Sequence, residues 1–252
     1  MKVIILGGGK MGSFFRDTMA LNHDVLLLPS SPKKLESLPN VYDEILEFEP
    51  ELLINCSTLK FTVEVFERVI PYLPKTCILS DIASVKTELP DYYKSVGMRY
   101  VSTHPMFGPT FANLNDLSSH NAIIITESDE EGKDFFRQYY ASLKLNIFEY
   151  SFLEHDETIA YSLSIPFAST LVFASVMKKQ EAPGTTFRKH MEIAKGLLSE
   201  DDYLLSEILF NPFTSEQVTK IREQLAELLV IIESKDSAKM EAFLKMVRKN
   251  IE

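Results

Sequence analysis

The chain has 252 residues, is 45% hydrophobic and 25% charged, and carries a formal net charge of −10. That balance belongs to a globular protein with a sizeable core in one or two domains, and the acidic excess weighs against general nucleic-acid binding and against adhesion to anionic membranes. Its two cysteines, Cys56 and Cys77, lie in apolar strand-like runs and read as buried free thiols in a reducing compartment; no residue cluster has metal-ligand spacing, so no metal centre is expected.

Met1-Lys2 leads directly into a short apolar run, too short for a secretory signal, and no later apolar run reaches the roughly 18 residues needed to cross a bilayer. A cytoplasmic protein with no membrane partner is expected. Lys2 to Leu6 predicts a first strand, followed by Gly7-Gly8-Gly9-Lys10-Met11-Gly12 and then helical spacing from Ser13. Gly-x-Gly-x-x-Gly between a strand and a helix predicts a dinucleotide site: Gly7 for the tight turn, Gly9 for close approach of a pyrophosphate, Gly12 for helix-strand packing. Lys10 and Met11 belong to the same loop.

Asp24 to Leu28 predicts the second strand, and the stretch after it is Pro29-Ser30-Ser31-Pro32-Lys33-Lys34. An acid for the adenosine ribose is missing there, while Ser30, Ser31 and Lys33 suit a 2′-phosphate, so NADP is favoured over NAD. The same residues could instead only cap and open the next helix. Leu52 to Cys56 predicts a third strand ending at Ser57-Thr58, a further cofactor-facing edge, and Phe61 to Leu73 has helical spacing.

Further strands are predicted at Cys77 to Leu79, Tyr100 to Ser102, Ala122 to Ile125 and Ile147 to Phe148, with helices near Leu89 to Ser95 and Glu130 to Leu143. This alternation implies an α/β fold, a Rossmann-type doubly wound sheet over residues 1–150. From 151 to 252 the periodicity is helical throughout: Glu154 to Lys179, Phe187 to Leu198, Asp201 to Leu209 and Ser215 to Val247. We read this as an all-helical C-terminal domain that packs against a second copy, because four amphipathic helices make a thin core alone.

Polar side chains at the carboxyl ends of buried strands are the candidates for chemistry, since open α/β sheets bind ligands there. His104 follows a strand and precedes Pro105 and a Gly108-Pro109 turn. Ser84 and Lys86 follow another strand, where Ser84 is either a ligand-facing hydroxyl or a helix N-cap. His155, between Glu154 and Asp156, either faces a cleft or sits in a segment whose acids satisfy a helix N-terminus.

Taken in order, Gly7 to Gly12, Asp81-Ile82-Ala83-Ser84-Val85-Lys86, His104-Pro105-Met106-Phe107-Gly108-Pro109 and Glu154-His155-Asp156 resemble the prephenate/arogenate dehydrogenases of tyrosine biosynthesis. The resemblance covers nearly the whole chain. It implies an NAD(P)-dependent oxidative decarboxylation of prephenate to 4-hydroxyphenylpyruvate, or of arogenate, in a homodimer with the active site between two domains. It also implies that His104 accepts the proton of the ring hydroxyl while Ser84 orients the imidazole, with Thr110, His155, Arg188 and Lys195 as substrate contacts. Two positions depart from the family pattern: Phe167 stands where a helical-domain histidine is usual, and Gly196, beside Lys195, stands where an arginine holds a substrate carboxylate. A nucleotide-binding relative without dehydrogenase activity is the alternative these departures raise.

Overall fold

The computed structural model describes residues 1–38, 40–108 and 112–252. Seven strands form one sheet: β1 (Lys2–Leu6), β2 (Asp24–Leu28), β3 (Leu52–Asn55), β4 (Ile78–Asp81), β5 (Tyr100–Pro105), β6 (Asn121–Ile125) and β7 (Asn146–Tyr150), in the order β2-β1-β3-β4-β5-β6-β7. All neighbouring pairs are parallel except β5 with β6, where His104 stands opposite Ile123. The chain leaves β1 for β2 on one side and returns to β3 on the other, so the crevice at their carboxyl ends is a topological switch point.

Alternate residues of β1 enter opposite layers because side chains along a strand point to opposite faces. Val3 and Ile5 pack with Phe15 and Met19 of α1 (Lys10–Met19) and with Phe136 and Tyr140 of α6 (Glu130–Ser142). Ile4 and Leu6 pack with α2 (Pro32–Ser37), α3 (Val41–Phe48), α4 (Thr62–Val69) and α5 (Leu89–Val96). Burial on both faces explains why β3 is uniformly apolar up to Asn55. Both cysteines are free, and burial raises their thiol pKa values, which keeps them protonated.

The helical part starts with a capping box. Ser151 Oγ accepts from the Glu154 amide at 3.2 Å, and Glu154 accepts from the Ser151 amide at 2.8 Å. Helix α7 (Phe152–Ile159) then runs through a π-turn, Ala160–Ser164, into α8 (Ile165–Val176). Pro166 lies just inside α8, where it has no amide to donate; a wider turn before it is a common accommodation. Ser164, buried in that turn, donates to the Ile208 carbonyl at 3.0 Å and accepts from Thr214 at 2.8 Å. Helices α9 (Thr185–Leu197), α10 (Asp202–Leu209), α11 (Thr214–Ser234) and α12 (Ser237–Lys249) complete the chain.

Two expectations are corrected here. The single helix predicted from Ser215 to Val247 is broken at Lys235, which takes a left-handed conformation with φ of 52°, and Asp236 caps α12 by accepting from the Lys239 amide. No Gly or Pro marks that break; the Asp-x-x-Lys cap was the available signal. The continuous helix Phe152–Val176, 25 residues, is also long and apolar enough to cross a membrane by length and composition. Counting only uninterrupted apolar runs missed it, because Ser and Thr punctuate the stretch after Glu157, which carries no charge.

Candidate active site

The dinucleotide loop has the shape its glycines predict. Gly7 has φ of +116°, and a Cβ there would lie 2.7 Å from the Cys56 carbonyl oxygen; one on Gly12 would lie 1.7 Å from the Gly7 oxygen. By contrast Cβ positions on Gly8 and Gly9 meet nothing within 4 Å, so the outer face of the loop is open. Gly9 caps α1 without any side-chain hydrogen bond, which leaves the first-turn amides to a ligand. These features fit a bound pyrophosphate. Ser57 Oγ, one residue beyond Cys56, is buried with no hydrogen-bond partner among the described residues, and Thr58 beside it is exposed.

A groove beside the loop is lined by Gly8, Gly9, Leu28, Ser30, Ser31 and Lys34. Ser31 also accepts from the Lys34 amide as the N-cap of α2, so the capping role weighed from sequence is real. Lys33 does not line the groove. It is exposed one position earlier on the helix, and the cation that reaches the groove is Lys34.

At the carboxyl ends of β4 and β5 a cleft of about 390 Å³ brings His104 and Ser84 together with Met11 of the dinucleotide loop. The helical part supplies the opposite wall through Leu163, Phe167, Leu197, Leu204 and Ile208, with one acid, Glu200. Ser84 does not cap a helix, since α5 starts at Leu89 with Glu88 as its N-cap. Nor is Ser84 hydrogen-bonded to His104 here.

The imidazole of His104 is held from behind. His104 Nδ1 lies 3.0 Å from His155 Nε2, and His155 Nδ1 lies 2.9 Å from Asp156 Oδ1. Burial, the neighbouring His155 and the Lys86 ammonium hold His104 well below the ordinary histidine range. Burial also pushes His155 down to about 3, aided by Lys86 and opposed by Asp81, and it raises Asp156 to about 6. Both rings are therefore neutral at physiological pH.

His155 is fully buried and lies outside the lining of the cleft, so the structure gives it a contact with His104 in place of the expected contact with substrate. The signal was present in the Glu-His-Asp segment, but no local pattern says that α7 lands behind β5. Lys86 likewise does not reach the cleft. It is fully buried, paired with Asp81, and donates to the Thr103 carbonyl at 2.8 Å, while Tyr93 donates to the other Asp81 oxygen at 2.8 Å. Arg188 and Lys195 are exposed on α9 and do not line the cleft, which is apolar where a carboxylate clamp was expected. Thr110 lies outside the described residues.

A mainly parallel sheet with an open glycine loop at its switch point, joined to a helical part across a cleft with a buried neutral histidine, defines a Rossmann-type dinucleotide-binding protein of two parts. The family described as "Prephenate dehydrogenase, nucleotide-binding domain" matches residues 37–146. A probable arogenate/prephenate dehydrogenase of Methanocaldococcus jannaschii is 23% identical over 79% of this chain and 46% of its own length. The T-protein of Haemophilus influenzae is 23% identical over 93% of this chain and 63% of its own. The chain thus spans about half to two thirds of the length of these curated relatives.

In fold, the chain superposes on Synechocystis arogenate dehydrogenase with a TM-score of 0.77 at 16% identity, covering 99% of this chain and 98% of that one. Prephenate dehydrogenase from Aquifex aeolicus, in a complex with hydroxyphenyl propionate and NAD+, gives 0.76 at 17% identity with the same coverage. Residues 37–146 therefore match the nucleotide-binding domain of the prephenate dehydrogenase family, and the chain shares its fold with both of these solved dehydrogenases.

Proposed function

We propose that the protein is an NAD(P)-dependent dehydrogenase that oxidises and decarboxylates prephenate or its amino analogue arogenate, in a nucleotide-binding domain of residues 1–150 and a helical domain of residues 151–252. The observation that carries this reading is the cleft where His104 and Ser84 meet Met11 of the dinucleotide loop. A nicotinamide nucleotide held on the Gly7 to Gly12 loop would supply the acceptor for hydride from the ring carbon that bears the hydroxyl. His104 takes the hydroxyl proton, and the electrons of the breaking carbon-carboxylate bond complete the aromatic ring as carbon dioxide leaves. Ser84 is positioned to hydrogen-bond the same hydroxyl, and the apolar wall around Phe167 accommodates the ring.

Among the described residues no Lys or Arg lines the cleft, so the substrate's carboxylates find no cationic clamp in its lining. The test combines prephenate or arogenate with NAD or NADP and follows the reduced cofactor. Turnover of prephenate or arogenate with at least one of the two nucleotides is expected. If none of the four pairings turns over while nucleotide still binds, the non-catalytic reading replaces the enzymatic one.

The cofactor preference rests on Lys34 beside Ser30 and Ser31. Lys34→Glu is expected to weaken NADP binding by roughly tenfold or more with little effect on NAD, the scale of one lost charge-assisted contact. Equal losses for both nucleotides in a titration would remove the 2′-phosphate assignment.

A homodimer in the cytoplasm is the state we infer for the working protein. Helix α8 has no buried residue, and Val176, Leu225 and Leu229 are more than half exposed, an apolar surface that a second copy covers through the helical part. Light scattering is expected to give twice 28.7 kDa. A monomer at micromolar concentration would refute it.

A further inference from the structure

His104 presents a difficulty as a base, because a ring held well below the ordinary histidine range binds a proton poorly. The contacts behind it resolve this. An ionised carboxylate only accepts hydrogen bonds, so the 2.9 Å contact with Asp156 places the proton of His155 on Nδ1. A neutral imidazole has a single N–H, so His155 Nε2 is an acceptor, and the 3.0 Å contact takes the Nδ1 proton of His104. That leaves His104 Nε2 with a free lone pair in a ring that borders the cleft, and no described residue hydrogen-bonds it.

We propose that Asp156 acts through His155 to set the tautomer of His104, so that a carboxylate two side chains away from the cleft positions the base and receives its proton. The proposal rests on the reading of His104 as the base. In the forward step the substrate O–H breaks as an N–H forms at His104 Nε2. The Nδ1 proton of His104 passes to His155 Nε2, and the Nδ1 proton of His155 passes to Asp156. One proton enters and one carboxylate is neutralised, and both rings end neutral with their tautomers reversed. No buried imidazolium has to persist, which is the state that burial penalises most.

The surroundings of Asp156 fit this role. Its carboxylate is partly desolvated and is held by the Lys86 backbone amide, while Asn211 Nδ2 donates to its backbone carbonyl at 2.9 Å and anchors the α10–α11 corner on α7. The charged groups facing the chain are the Lys86 ammonium, from the segment after β4, and Asp81 of β4, which pair with one another; His104 comes from β5 and Asn211 is neutral. A raised carboxyl is protonated below its pKa. The base-competent tautomer is therefore present above about pH 6 and is lost as pH falls through that value.

Nitrogen-15 NMR of the histidine rings in the full chain tests this without requiring substrate, with a His104→Asn sample to assign the signals. The expected result is protonation of both His104 and His155 on Nδ1 at about pH 8 and on Nε2 at about pH 5. In Asp156→Asn the switch is expected to disappear, the acid limb of the kcat profile with it, and kcat at neutral pH to fall by about 10² to 10⁴-fold, with nucleotide affinity unchanged as the control for folding. His104 protonated on Nε2 at about pH 8 in the wild type overturns the proposal, whatever the variant does. So does an Asp156→Asn enzyme that keeps the wild-type pH profile. The expected tautomers without turnover on any substrate would sustain the chain and remove the base reading.

Discussion

His104→Asn is expected to lower kcat on the order of 10² to 10⁴-fold, the usual contribution of a general base, while leaving nucleotide affinity intact. The two effects separate because the residues that shape the nucleotide loop, Gly7 to Gly12, owe nothing to His104, whereas among the described residues the only titratable group beside Ser84 at the strand ends of the cleft is that imidazole. Asparagine keeps a polar side chain of similar reach and can still pair with His155, so the fold around the cleft is preserved. A loss seen in KM alone would mean that His104 binds substrate without handling its proton. A variant with full kcat would remove the assignment outright.

The second large effect concerns stability. Lys86→Met is expected to destabilise the protein by about 3 to 5 kcal/mol, because it strands the Asp81 carboxylate in a site with no solvent access. The Lys86 ammonium also ties the Asp81 end of β4 to the Thr103 carbonyl of β5, one residue before His104. Tyr93 and the Ala83 amide still donate to Asp81 in the variant, but neutral donors do not cancel a buried charge. Urea unfolding with an unchanged m-value measures the loss. Replacing both partners, Asp81→Asn with Lys86→Met, is expected to recover part of it, and a single variant within about 0.5 kcal/mol of wild type would show that the pair contributes little. In the sequence Lys86 was one of two candidates, with Ser84, to meet substrate or nicotinamide at this strand end. Its burial shows the other use of a lysine at a strand end, which is to brace the base from behind.

Much of the nucleotide half was legible in the sequence. Short continuous apolar runs marked each strand to within a few residues, because a strand buried on both faces tolerates few polar side chains until it reaches the sheet edge, as at Asn55 and Asp81. The glycine loop was legible for a similar reason: the contacts of Gly7 and Gly12 leave no space for a side chain, so the residue type itself records the geometry. The helical half was read less well. Its break at Lys235 depends on a single left-handed residue and an aspartate cap, signals that also occur on unbroken helix surfaces.

The sequence by itself determined which residues stand at the carboxyl ends of β4 and β5, Ser84 and His104 among them, and that a dinucleotide loop opens the chain. Local spacing carries that information because each strand or turn is only a few residues long. Only the tertiary structure decided what stands around His104. The partner behind it, His155, is 51 residues away in the chain, the wall before it comes from helices α8 to α10, and the cations expected there remain on the solvent face of α9. Whether an exposed-looking helix presents Arg188 or Leu197 to a cleft depends on its rotation against its neighbours, which α9 settles by burying Ala194 and Leu197.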